Sequence, residues 1–315
     1  MAIHTRLTKK LGIEHPLMLA PMGTVAGASL AAAVSNAGGF GMIGAGYGDP
    51  DWLKNELELI NKQTNKPWGI GFITWCLTQE IFDLAMQYSP HAVMFSFGDI
   101  TPWIAQVKDR KIPVISQVQD LSGALDSYDK GADFIVAQGT EAGGHGKSHR
   151  STLSLVRGIN ITAPEIPIIA AGGIADGQGF AAAINLGAEG VSMGTRFYAT
   201  FEANAHNRMK KRLVECSGDD TVRTHVFDIV REIRWPNNYT GRAITNTFVA
   251  KWHHNEQELR RFIDRQKPAY FAAQEACDPK IAVVWAGESI DAISDIVEAG
   301  EIVHRVMKTA EKILN

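Results

Sequence analysis

Cysteine is scarce in this chain: Cys76, Cys216 and Cys277 are its only three in 315 residues. They lie far apart and share no metal-ligand spacing, which leaves no disulfide framework and no cysteine-based zinc site to be read. Reduced thiols are the simplest account. An excess of charge of one sign is missing too. The formal net charge is −3 and no basic cluster interleaves with aromatics, so the footprint of a nucleic-acid-binding protein is absent. The short charge runs at 108–111 and 208–212 read as solvated faces. No apolar run approaches the ~20 residues that span a bilayer. The segment Met1-Ala2-Ile3-His4-Thr5-Arg6 lacks the apolar core of a secretory signal. A cytoplasmic protein with neither nucleic-acid nor membrane partners is expected, and no metal site is. In that setting the glycosylation sequons at Asn160 and Asn238 carry no weight.

What is present is ordinary for a globular enzyme, with 45% hydrophobic and 21% charged residues. The length suits one large α/β barrel with an insertion, or two domains. Short apolar runs alternate with helix-compatible segments at Leu17-Ala20, Gly41-Ile43, Trp68-Ile73, Ala92-Phe95, Pro113-Ser116, Phe134-Ala137, Ile166-Ala170 and Gly190-Met193. Intervening helices are expected over Ser29-Ala37, Asp51-Asn61 and Thr78-Gln87, the last behind a Thr cap. Eight parallel strands with crossover helices close a (β/α)8 TIM barrel, with an open doubly wound sheet as the competing architecture. Beyond Phe201 the rhythm stops, and helical periodicity is strongest over Asn255-Ala273. The expected organisation is a barrel of residues 1–201 plus 281–315, with residues 202–280 as a helical insertion near the barrel mouth. Asp291 to Leu314 reads as the helix that closes the eighth unit. The aromatics of the insertion could cover a ligand or pack the interface of a homodimer, and both readings stay open.

Chemistry concentrates in Gln138-Gly139-Thr140-Glu141-Ala142-Gly143-Gly144-His145, at the C-terminal end of the sixth run. Sites of α/β folds are built at such ends. The glycines let the backbone approach a flat ligand, and His145 is the natural proton carrier near neutral pH. A lone loop histidine also fits a solvated bystander, so the other stations matter. Ala170-Ala171-Gly172-Gly173-Ile174-Ala175-Asp176-Gly177 and Gly194-Thr195-Arg196 follow the seventh and eighth runs. Their free backbone N–H groups suit a phosphate, and barrels recurrently place one there. Ala20-Pro21-Met22-Gly23 ends the first run with a backbone able to lie against a planar ring, or with a simple turn. A dinucleotide-loop reading of Gly39 to Gly48 fails on order, because those glycines follow the first helix instead of preceding it.

With these stations quoted, and with Met193-Gly194-Thr195-Arg196-Phe197, Trp235-Pro236 and Tyr239-Thr240-Gly241-Arg242 beside them, the chain resembles the nitronate monooxygenase family. These enzymes, formerly called 2-nitropropane dioxygenases, are FMN-dependent (β/α)8 oxidoreductases. The resemblance implies that FMN lies across the barrel mouth, with Met22 and Gly23 behind the ring and Gly71 and Gln117 lining it. Gln138, Gly143 and Gly144 would hold it from the sixth strand, and Gly172, Gly173, Gly194 and Thr195 would bind its phosphate. Gln117 departs from relatives that carry a lysine there. His145 matches the family's catalytic histidine. The implied reaction oxidises alkyl nitronates with O2 to a carbonyl compound and nitrite. The same segment also resembles FMN-dependent enoyl-acyl-carrier-protein reductases and NADH:quinone reductases, so NAD(P)H-dependent reduction of quinones or enoyl thioesters is the alternative. A non-catalytic flavin-binding protein on the same scaffold is a third.

Overall fold

In the computed structural model of the protein, residues 3–236 and 238–314 are described. Met1 and Ala2 of the N-terminal segment, Asn237, and Asn315 at the expected barrel's end lie outside them. The eight expected strands are present as β1 (Leu17–Leu19), β2 (Gly41–Gly44), β3 (Trp68–Ile73), β4 (Ala92–Ser96), β5 (Val114–Val118), β6 (Phe134–Gln138), β7 (Ile168–Ala171) and β8 (Gly190–Met193). They run parallel in the order β1-β8-β7-β6-β5-β4-β3-β2. A parallel bridge between Met18 and Phe40 closes β1 onto β2. The ring is therefore a barrel and not the open sheet. Nearly every strand residue is buried, as expected for strands covered on one face by the barrel interior and on the other by helices. Pro113 and Pro167 fall outside the strands assigned to them, since a residue without an N–H cannot donate to the ladder.

Helix starts follow from side-chain chemistry. Asp49 accepts hydrogen bonds from the amides of Asp51 and Trp52 with Pro50 at the first helical position, and Thr78 accepts from Ile81. Asp120 and Asp176 cap the helices after β5 and β7 in the same way.

Three expectations change. The last helix is Ala299–Leu314 and does not begin at Asp291. Residues before it are drawn away: Asp295 accepts from Arg196, Val297 bridges to Thr200, and the Glu202 carboxylate takes the Ala299 N–H at 3.0 Å. The periodicity over Asn255-Ala273 is divided at Phe262 into helices Glu256–Arg261 and Ile263–Glu275. Residues 202–280 also contribute two strands, Thr221–Thr224 and Thr240–Ile244, beside their helices. Within that region Val226, Phe227, Phe248, Trp252 and Tyr270 pack an apolar cluster of their own. No helix among the described residues is long and apolar enough to cross a membrane, and none of their His, Cys, Asp and Glu groups could hold a metal ion.

Candidate active site

A cavity of about 530 Å³ opens at the C-terminal ends of the barrel strands. Met22, Gly23, Gly71, Gln117, Gln138, Gly143, Gly144, His145, Gly172, Gly173, Gly194 and Thr195 all line it. The cavity thus brings together the twelve residues that the resemblance assigns to cofactor and catalysis, while Asp176 and Arg196 of the same stations lie outside it. The twelve do not all line it for the same reason. A Cβ on Gly71 would lie 2.4 Å from the Pro21 ring, and one on Gly143 would lie 2.6 Å from the Ala286 carbonyl carbon. Those two glycines are required by packing against protein. Gly172 and Gly173 differ, with φ of +100° and +70° in succession. That backbone favours glycine. Beside it, the Thr195 hydroxyl accepts from the Gly287 N–H at 3.0 Å, which leaves its own proton to donate. The N–H groups of Gly173 and Thr195 meet no protein acceptor among the described residues.

At the other end of the cavity stands His145. The sequence suggests a glycine-rich loop, but Gly144–Gly146 is a short strand. It pairs antiparallel with Thr240–Ile244, which pairs with Thr221–Thr224, and His145 sits opposite Gly241. Two arginines fasten the segment that leads into it. Arg223 donates from Nε to the Thr140 carbonyl at 3.1 Å and from Nη1 to the Gly146 carbonyl at 3.0 Å. Arg242 donates to the same Thr140 carbonyl at 3.2 Å and pairs with Glu288 at 2.8 Å. Burial, with Arg242 nearby, brings the Arg223 guanidinium down to about 10, which leaves it charged at neutral pH. Gln138 adds a third tie, donating to the His145 carbonyl at 3.0 Å while its own oxygen accepts from Gln117 and Gln119. Gln138 and Gln117 therefore spend part of their polarity on one another.

His145 is buried, with its side chain 8% exposed. Trp235 stacks on it with ring centroids 3.7 Å apart and planes 5° from parallel, and Trp285 lies 5.0 Å away, tilted. Trp235 Nε1 donates to the Tyr47 hydroxyl at 2.9 Å, and Trp75, Phe97 and Tyr239 present their rings around Trp235. His145 Nε2 lies 3.0 Å from Asp228 Oδ1 and 2.9 Å from Oδ2, and Arg231 Nη2 donates to Oδ1 at 3.1 Å. Burial pushes the His145 imidazole below its ordinary value, against the pull of Asp228 in the other direction and with Arg231 and Arg223 adding to the lowering. The lowered value favours the neutral ring, the form that can accept a proton.

Asp228, Arg231 and Tyr47 are absent from the sequence-based site. Asp228 is 83 residues from His145 in the chain. One local signal exists, an acidic residue inside the apolar run Val226-Phe227-Asp228-Ile229-Val230 with an arginine three positions on. Buried acids of that kind need a partner.

Comparison with known proteins accords with this architecture. The model of the nitronate monooxygenase family matches residues 4–80 and 76–309. The probable nitronate monooxygenase of Staphylococcus saprophyticus is 28% identical over 364 aligned positions covering 100% of both chains. That of Staphylococcus aureus is 29% identical, covering 90% of this chain and 91% of its own. Among solved structures, FabK from Thermotoga maritima superposes with a TM-score of 0.86 at 32% identity, covering 99% of this chain and 97% of that one. A nitroalkane oxidase from Streptomyces ansochromogenes superposes with a TM-score of 0.81 at 25% identity, covering 97% of this chain and 98% of the other. The protein is an oxidoreductase with a TIM-barrel fold, and it belongs to the nitronate monooxygenase family.

Proposed function

We propose that the protein oxidises alkyl nitronates with O2, yielding a carbonyl compound and nitrite, with FMN bound in the barrel-mouth cavity. The observation that carries this reading is the pairing, in one cavity, of the Gly172-Gly173 turn and the start of the Thr195 helix with the buried side chain of His145. The residues fit the cofactor. The Gly172-Gly173 turn, Gly194 and Thr195 supply N–H and hydroxyl donors for a phosphate, while Met22, Gly23, Gly71, Gln117, Gln138, Gly143 and Gly144 line the space for a flat ring. About 530 Å³ lies within the ~300–1,000 Å³ range of small-molecule and cofactor sites. When bound, the flavin supplies the electron transfer and the reaction with O2. The chain orients the substrate, excludes water with Trp235 and Trp285, and offers His145 to take an α-proton from a neutral nitroalkane.

The test is the flavin spectrum of the purified protein, followed anaerobically as propionate 3-nitronate or NAD(P)H is added. Bleaching by the nitronate is expected; bleaching by a nicotinamide alone would overturn the assignment. A second reading, NAD(P)H-dependent reduction of a quinone or an enoyl thioester, is favoured by the aromatic wall of Tyr47, Phe97 and Trp235, which would cover a flat ring.

A further inference from the structure

We propose that Asp228, itself held by Arg231, is a positioning residue that fixes His145 with its proton on Nε2 and leaves Nδ1 as the atom that accepts the substrate proton. This rests on the nitronate reading above and extends it to the ionisation of neutral nitroalkanes. Both Asp228 oxygens lie within 3.0 Å of Nε2, and the side chains of His145 and Asp228 are 8% and 5% exposed. A carboxylate can only accept, so the Nε2 that faces it must donate. Nδ1 meets no protein partner among the described residues, and His145 lines the cavity. A buried base oriented by a third group is the general arrangement for activating proton transfer.

Arg231 decides what kind of partner Asp228 is. Its Nη2 donates to Asp228 Oδ1 at 3.1 Å, and its Nε is anchored on the Phe227 carbonyl at 3.0 Å. The guanidinium offsets the carboxylate charge, so the pair orients the imidazole without holding it in the protonated form. The charged groups that bear on the ring are Asp228, Arg231 and Arg223, and the tryptophans on either side do not titrate. In the step itself the α C–H bond of the nitroalkane breaks and its proton goes to Nδ1. The electron pair moves into the nitro group to give the nitronate, and the imidazolium keeps its Nε2–H on Asp228. No electron leaves the substrate in this step.

Replacing Asp228 with Asn makes the prediction sharp. Arg231 would keep the amide oxygen at the place of Oδ1, 3.0 Å from Nε2, and put the amide NH2 at the place of Oδ2, 2.9 Å from it. Facing a donor at the shorter distance, Nε2 is drawn to accept and the proton to Nδ1. The flavin-loaded protein is labelled with 15N-histidine, and the His145 signal is identified by its loss in His145→Asn. Wild type is expected to show Nε2 protonated and Nδ1 not, and Asp228→Asn the reverse. In parallel, Asp228→Asn should turn over neutral nitroethane about 10²–10⁴-fold more slowly, the usual span of general-base catalysis, with preformed ethyl nitronate slowed less than about tenfold. A wild-type proton on Nδ1 needs no variant to observe and overturns the proposal, as does an unchanged tautomer in a folded Asp228→Asn. A wild type with the expected tautomer that oxidises no nitronate overturns the functional reading instead.

Discussion

At His145 the decisive neighbour is Trp235. Its indole covers the imidazole face at 3.7 Å, and burial is the largest cause of the lowered His145 pKa. Trp235→Ala would admit water to that face and remove an aromatic pair worth about 1 kcal/mol beyond its area. The His145 pKa should then rise, because solvation favours the charged form and Asp228 remains 2.9 Å away. Titration of the His145 signal by NMR measures this, and an unchanged or lower midpoint would show that Trp235 is not what desolvates the ring. Trp235→Phe keeps a stacked face but loses the Nε1–H bond to Tyr47, so it should shift the midpoint less. Residue-level legibility was uneven here. His145 and the glycine stations stand out by type and order in the chain, whereas Asp228 gains its meaning from a contact across 83 positions that no local pattern encodes.

Elements differ in the same way. A strand of a parallel barrel is buried on both faces and reads as a continuous apolar run, so Ile168–Ala171 and its fellows are visible in the sequence. Thr221–Thr224 and Thr240–Ile244 carry arginines and threonines on a half-exposed sheet, and their pairing partner Gly144–Gly146 lies far back in the chain. Nothing local marks them as strands, yet they hold the histidine. The glycine turn after β7 offers the element-scale prediction. Gly173 has φ +70°, and a Cβ there would lie 3.3 Å from the Glu141 Cβ. Gly173→Val places a β-branched side chain in a left-handed conformation, a strain of ~1–3 kcal/mol, and crowds the space proposed for phosphate. The barrel should still form, with circular dichroism close to wild type, but the flavin-to-protein ratio should fall to a small fraction of one. Stoichiometric FMN in the purified variant would remove the phosphate assignment. Gly144 provides the contrast, since its φ is also +70° but a Cβ there meets nothing within 4 Å. Gly144→Ala carries the strain without the crowding and should retain more flavin than Gly173→Val.

Across the whole molecule, acid should act in two stages. His15, His91, His145 and His253 are all lowered from the ordinary histidine value, burial being the largest cause in each. For a histidine depressed in this way the unfolded chain binds protons more readily than the folded one. Folding stability is then full above the unfolded value of ~6.5 and declines as pH falls through the window down to the folded values. Carboxylates act later. Hydrogen bonds from Thr101 and Lys130 hold Asp99 at about 2, and Lys147 with the Gly123 amide holds Asp120 at about 2 despite burial that pushes it up. Their contribution is present above the ordinary Asp value of 3.8 and is lost only as pH falls toward 2. The midpoint of thermal unfolding should therefore begin to drop as pH falls through about 6.5 and drop further below 3.8, where Asp99 and Asp120 take up protons. His145→Asn, which has no proton to gain at that position, should shrink the first drop and leave the second intact. Scanning calorimetry across this range decides the matter: a midpoint that holds or rises from pH 7.5 to 5.5 would mean that these histidines accept protons without cost, and His145 would then be a poor candidate for a neutral base.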